Sequence, residues 1–333
     1  MKSFLFLLIL LLIIFSLITA GLFIGSFHTN LSTIYNFIFH YNTDDNTHYV
    51  ILNLRLPRLI LALLVGGSLA LSGYLMQALT NNPLADPYIL GTAAGGSLGA
   101  NLVFFGLAPI FWLGLYLPSI FAFLGSLGVT ILVVSISYQN GKMNVIRLLL
   151  GGVTITSLAG SLISLLIFLS SSDSKLKGII FWTMGSFEKA QWNILLLPFL
   201  ALLIVTIVFI LLQKQISIMY LGEERAYHLG LNTNRLKWLI IILSSFITGV
   251  SVATSGPIGF VGLIIPHFIR ALFGINHKLN ALMVTLTGAA FLLFCDLLTR
   301  LIYPPAGLPI GIICSCLGIP FFLYLLFKKN ISL

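Results

Sequence analysis

The feature that most constrains this chain is a succession of apolar stretches separated by short polar, Gly or Pro clusters, with few charges inside them. Each approaches the ~20 residues that a helix needs to cross the hydrocarbon core of a bilayer. The stretches fall near 4–25, 51–79, 89–107, 117–137, 146–170, 192–213, 236–254, 258–273, 280–303 and 309–327. Charged residues make up 8% of the chain and hydrophobic ones 59%, against roughly 25% charged in soluble domains. Lipid is therefore the main solvent, and the expected fold is all-α: a polytopic membrane protein of about ten transmembrane helices. With no linker, low-complexity run or internal repeat, residues 1–333 read as a single membrane domain with one longer connection at 221–235.

The net charge of +9 would suggest an acidic partner in a soluble protein. Here the basic residues sit between apolar runs and report orientation instead. With the N-terminus inside, the inner face holds Lys2, Lys142, Arg147, Lys214, Arg225, Arg235, Lys237, Arg270, Lys278, Lys328 and Lys329. The outer face holds Arg55, Arg58, Lys175, Lys177, Lys189 and Arg300, partly offset by Asp44, Asp45, Asp173 and Glu188. No nucleic-acid partner is expected. Met1-Lys2-Ser3 and the apolar run after it suit either a signal peptide or a first span, and the length of the run favours a retained helix. Cys295, Cys314 and Cys316 lie within the last spans, without disulfide or zinc spacing, and read as small core residues. Clusters such as Gly66-Gly67, Gly95-Gly96 and Gly151-Gly152 suit close helix packing.

The search for chemistry is mostly negative. There is no His-Glu-x-x-His, no Gly-x-Ser-x-Gly and no intramembrane pair of acids, so catalysis within the chain is not expected. No metal site is expected either. Gly141-Lys142 lacks the upstream glycine and the following Ser or Thr of a phosphate loop. Asp296 is the sole acid inside a predicted span, and Arg300 stands one helical turn later, which suits a structural ion pair near the outer boundary.

Two stretches stand out. In 221–235, Glu223 and Glu224 suit the first turn of a helix and Gly230 its end, with a second short helix starting near Asn232. Ala226 and Leu229 would give this knob an apolar side. On the outer side, Arg55-Leu56-Pro57-Arg58 opens the second span, with its proline placed for a first helical turn. The arginines there suit either snorkelling or, with Arg300, pairing with carboxylates of a docking protein.

These residues resemble one family over nearly the whole chain: the permease subunits of binding-protein-dependent ABC importers for iron-siderophores, haem, vitamin B12 and related metal compounds. The resemblance rests on Arg55-Leu56-Pro57-Arg58, on Asn82-Pro83-Leu84-Ala85-Asp86-Pro87, on Phe181 to Ser186 and on Leu221-Gly222-Glu223-Glu224. Further along it rests on Gly256-Pro257-Ile258-Gly259-Phe260 through Pro266-His267, on Asp296 with Arg300, and on Leu308-Pro309-Ile310-Gly311. The family commonly has Glu before Leu-Pro-x-Gly, where this chain has Gly307.

The resemblance implies a type II ABC importer permease fold, a homodimer with the path at its interface, and a bacterial cytoplasmic (inner) membrane with both termini cytoplasmic. It implies no cofactor in this chain, with ATP and Mg bound by a cytoplasmic ATP-binding subunit. Gly222, Glu223, Glu224, Arg225, Ala226, Leu229 and Gly230 would be the coupling element on that ATPase. Arg55, Arg58 and Arg300 would meet glutamates of a periplasmic or lipid-anchored substrate-binding protein, and Asn144, Val145 and Ile146 resemble the cytoplasmic gate region. The cargo expected on family frequency is a ferric siderophore, with cobalamin, haem and molybdate open. An ion-driven transporter or channel working without an ATPase is the competing reading, and it lacks the mid-membrane acid such proteins use.

Overall fold

The computed structural model describes residues 2–25, 29–42, 45–107, 116–139, 141–170, 172–275, 277–304 and 307–327. Lys328, Lys329 and Asp44, used above in the charge reading, lie outside the described residues. The chain forms α1 (Lys2–Phe23), α2 (Leu31–Phe39), α3 (Asn46–Val50), α4 (Leu56–Thr80), α5 (Thr92–Phe105), α6 (Leu117–Ser137), α7 (Val145–Phe168) and α8 (Asp173–Met184). After these come α9 (Trp192–Met219), α10 (Glu223–His228), α11 (Thr233–Ser255), α12 (Val261–Phe273), α13 (Asn280–Ile302) and α14 (Ile310–Phe327). A hairpin of β1 (Tyr138–Gln139) and β2 (Lys142–Met143) joins α6 to α7.

Among the described residues, seven helices are long and apolar enough to span a membrane, counting Asn46–Thr80 as one. The shorter α5, α12 and α14 complete a set of about ten. Three expectations need correction. Residues 173–184, read as outer loop, form α8, which packs on α5 with Lys175 Nζ donating to the Phe105 carbonyl. Its charges interrupt the apolar run that marks a span. Cys316 is exposed, whereas Cys295 and Cys314 are buried. The helix starting beyond Asn232 is not a short separate piece, because α11 runs unbroken from Thr233 into the span.

The core is built around α4, which is buried along nearly its whole length and touches α9, α11, α12 and α13. Such a helix has no lipid face and needs no polar stripe. Small residues let its neighbours approach: a Cβ on Gly66 would stand 2.3 Å from the Gly288 carbonyl, and one on Gly73 1.9 Å from the Gly262 carbonyl. Its Ser72 hydroxyl lies 2.6 Å from Ser244 Oγ and 2.7 Å from Thr248 Oγ1, so polar groups deep in the bundle bond across helices.

Pro57 shapes the entry to α4 in a way its expected first-turn placement did not anticipate. The helix is continuous from Asn46, and a prolyl nitrogen inside it leaves a carbonyl one turn earlier without its donor. The chain widens there into a π turn at Ile51–Arg55, and the Leu56 amide donates to the Ile51 carbonyl. The Leu52 carbonyl is instead taken by Trp192 Nε1 at 2.9 Å, which fastens the start of α9.

Contacts orient the two ends of the bundle. Phe6, early in α1, packs against Phe273 at the end of α12, with ring centroids 5.0 Å apart and the rings tilted by 59°. Gly21, late in α1, accepts from Arg300 near the end of α13. These define a Phe6 face and a Gly21 face.

We expect Gly73→Ala to cost about 1–3 kcal/mol, because the clash is with backbone that has no rotamer to yield. Gly151→Ala, whose added methyl would meet nothing closer than 3.8 Å, should be neutral or stabilising. Thermal melts of the detergent-purified chain distinguish the two.

Candidate functional site

At the Gly21 face, the buried carboxylate of Asp296 holds two arginines. Arg58 Nε donates to Oδ1 at 2.8 Å, and Arg300 Nη2 pairs with Oδ2. The expected Asp296–Arg300 pair is thus present, and Arg58, the partner that sequence spacing alone does not reveal, spans from α4 to α13. Arg55 donates to the Leu22 carbonyl and, at 2.9 Å, to Thr29 Oγ1. Together Arg300 and Arg55 cap carbonyls at the end of α1, where the negative pole of the helix dipole favours cations. The first span is therefore built into the fold.

This geometry corrects the picture of three outward charges. Arg55 is 4% exposed and anchors α1. Arg300 is buried nearly as well, and Arg58 is the most exposed of the three, with its side chain 18% accessible. Desolvated guanidiniums must be paired internally, and these are. Position 307 has φ +72°, a left-handed conformation that suits glycine. A Cβ placed there would lie 3.7 Å from Glu188 Oε1, so a carboxylate from another segment occupies this neighbourhood.

At the Phe6 face, residues 220–235 form the expected knob. Gly222 and Gly230 have φ of +98° and +80°, and between them α10 carries Glu223 and Glu224 in its first turn. Asn232 Oδ1 accepts from the Arg235 amide and starts α11. The expected apolar side is arranged differently: Ala226 faces inward and is fully buried, and Tyr227 joins Leu229 on the exposed surface. Arg225 and Glu224 are exposed. Entry to the knob is anchored by Tyr220, whose hydroxyl receives Arg270 Nη1 at 2.5 Å and donates to the Tyr74 carbonyl at 3.1 Å.

Beside the knob lies the hairpin that leads into α7. Asn144 Oδ1 accepts from the Arg147 amide, which makes Asn144 the N-cap of α7. Val145 is half-buried and Ile146 projects outward. The knob and hairpin are bridged by Lys237, whose Nζ lies 2.5 Å from Glu223 Oε1 and 3.2 Å from the Met143 carbonyl. Sequence reasoning counted Lys237 only as an inner-face charge. Its position one turn into a span, too deep for water to solvate it, was the available signal. Among the described residues no group of three or more His, Cys, Asp or Glu is placed to hold a metal ion.

A bundle of about ten apolar helices with a polar knob on one face and an arginine-rich knot on the other defines a multi-pass membrane transport subunit. The chain belongs to the FecCD transport family, whose model matches residues 8–328, and it is a permease subunit of an ABC importer. It is 38% identical over 326 residues to the hemin transport system permease protein HmuU of Yersinia pestis, covering 97% of this chain and 95% of that one. With the molybdate import system permease protein MolB of Haemophilus influenzae it shares 36% identity over 286 residues, 86% of this chain and 83% of the relative. A solved structure assigned as an inward-facing metal-chelate type ABC transporter superposes with a TM-score of 0.84 at 34% identity, covering 97% of this chain and 98% of the other.

We expect Asp296→Asn, which keeps the shape but removes the one negative charge between Arg58 and Arg300, to destabilise the subunit by about 3–5 kcal/mol. A thermal melt unchanged from wild type would rule out that role for the carboxylate.

Proposed function

We propose that the chain imports a metal chelate, a ferric siderophore in the first instance, by ATP-driven alternating access as half of a homodimer in a bacterial cytoplasmic membrane, with both termini cytoplasmic. The observation that carries this reading is α10. It is a short exposed helix with Glu223 and Glu224 in its first turn and Tyr227 and Leu229 outward, at the end of a bundle whose sequence carries no phosphate loop. A permease subunit so built takes its energy from a separate ATP-binding subunit seated on that knob. ATP binding stabilises one arrangement of the bundle over another, and only such differential stabilisation moves the equilibrium.

The surface of α7 supports a path between two copies. Thr154, Ser157, Ser161 and Ser164 form an exposed hydroxyl stripe, each bonded to the carbonyl four residues earlier. A helix bonded in this way tolerates both a wet and a dry surrounding, which suits the wall of a path that opens and closes. Asn144, Val145 and Ile146 at its start are the gate in this reading. At the Gly21 face a substrate-binding protein docks, and Arg58 supplies the accessible part of the arginine knot. The panel of cargoes to test is a ferric siderophore together with hemin, cobalamin, molybdate and ferric citrate, which relatives' names specify.

Vesicles reconstituted with this chain, a candidate ATPase and a candidate binding protein should take up one of these cargoes only when ATP is supplied. Uptake at an equal rate without the ATPase would refute the reading. Reversal of Glu224 to Lys, an exposed residue without a partner role in the fold described above, should weaken ATPase association about tenfold, roughly 1.4 kcal/mol. Unchanged co-purification would place the contact elsewhere.

A further inference from the structure

Building on the reading that an ATPase engages α10, we infer that Lys237 is a positioning residue that carries displacement of α10 to the start of α7. Its ammonium touches the two elements at once: Glu223 on α10 at 2.5 Å and the carbonyl of Met143 on β2 at 3.2 Å. Met143 immediately precedes Asn144, the cap of α7. The lysine side chain is 3% exposed and that of Glu223 55%, so the bridge has one end on the surface and one inside. A surface load on α10 reaches a buried backbone atom through a single side chain. Three rotatable donors on a compact charge allow this double engagement.

The surroundings fit a linkage better than a simple brace. A cleft of about 990 Å³ is lined by Lys142 and Met143 on the hairpin, by Glu223, Tyr227 and His228 on α10, and by Lys237 itself. The entry to α10, three residues before Glu223, is fixed to the core through Tyr220, Arg270 and Tyr74. Lys237 thus engages α10 at its first residue, Glu223, next to this anchored entry. The hairpin is tied to α11 once more by Asn234 Nδ2 donating to the Gly141 carbonyl at 3.3 Å.

Lys237 lies too deep to touch a docked ATPase, so its loss separates docking from transmission. In Lys237→Met, Glu223 remains solvated and no buried charge is stranded. The full chain is co-expressed with candidate ATP-binding subunits of its host one at a time, and the complex is placed in nanodiscs with and without ATP, Mg and vanadate. Two readings are taken: affinity for the ATPase, and hydrogen exchange across residues 138–148. In wild type, nucleotide should change exchange in this segment about tenfold, within the range of coupling between sites. Lys237→Met should bind the ATPase as wild type does yet lose that response, and Lys237→Arg should restore it. A full response in Lys237→Met, or no response in a wild-type complex that does form, overturns the inference. If no ATPase binds wild type, the function proposed above fails instead. Should Lys237→Met not be recovered folded, Asn234→Ala, which cuts the second tie to the hairpin, is measured in the same way and must show a reduced response.

Discussion

The structure depends on α4 having no side that faces lipid. A helix surrounded by α9, α11, α12 and α13 is packed at backbone distance only where side chains are missing, and Gly66, Gly73, Gly262 and Gly288 supply those gaps. In lipid, where no hydrophobic force separates one apolar surface from another, such close contact is what selects this arrangement over looser ones. The two faces of the protein then follow from the ends of this helix. Its first turn contributes Arg58 to the carboxylate of Asp296, and its last turns contribute Tyr74 to the anchor of Tyr220.

Both faces handle charge by the same physical rule. An isolated ion at the edge of hydrocarbon is costly, so every deep cation described here meets a carboxylate, a carbonyl or an aromatic ring. Arg58 and Arg300 share one acid, Arg55 uses carbonyl and hydroxyl oxygens, and Arg270 lies 5.1 Å from the centroid of the Tyr220 ring. Lys237 does the same with Glu223 and Met143, but its acid is on the surface. The acid of the Phe6 face is thus open to the surface, whereas that of the Gly21 face is buried.

Much of this was legible in the residues. Apolar runs located the spans, Glu223 and Glu224 marked the first turn of α10, and Gly230, at φ +80°, marked its end. The Asp296–Arg300 pair followed from helical spacing. What was not legible had tertiary causes. Arg55 donates to a backbone carbonyl at the end of another helix, and a carbonyl carries no sequence signal. Arg58 reaches an acid 238 residues away. Lys237 resembled any juxtamembrane cation, and α8 was hidden because Asp173, Lys175 and Lys177 break its apolar run. Ala226 was assigned to the wrong side of α10, since six residues are too few for a periodicity to declare its face.

The proline at 57 has a consequence beyond the shape of its own helix. By withholding one N–H it leaves the Leu52 carbonyl to the indole of Trp192, so Pro57 and Trp192, 135 positions apart in the chain, both bear on a single acceptor. The worth of each therefore depends on the other. With a residue at 57 that regains an amide, the carbonyl would have a local donor and the tryptophan would become dispensable, while with proline in place its loss leaves that acceptor without either partner. Substitutions at these two sites should not add, and the pair is a thermodynamic unit although nothing in their spacing links them.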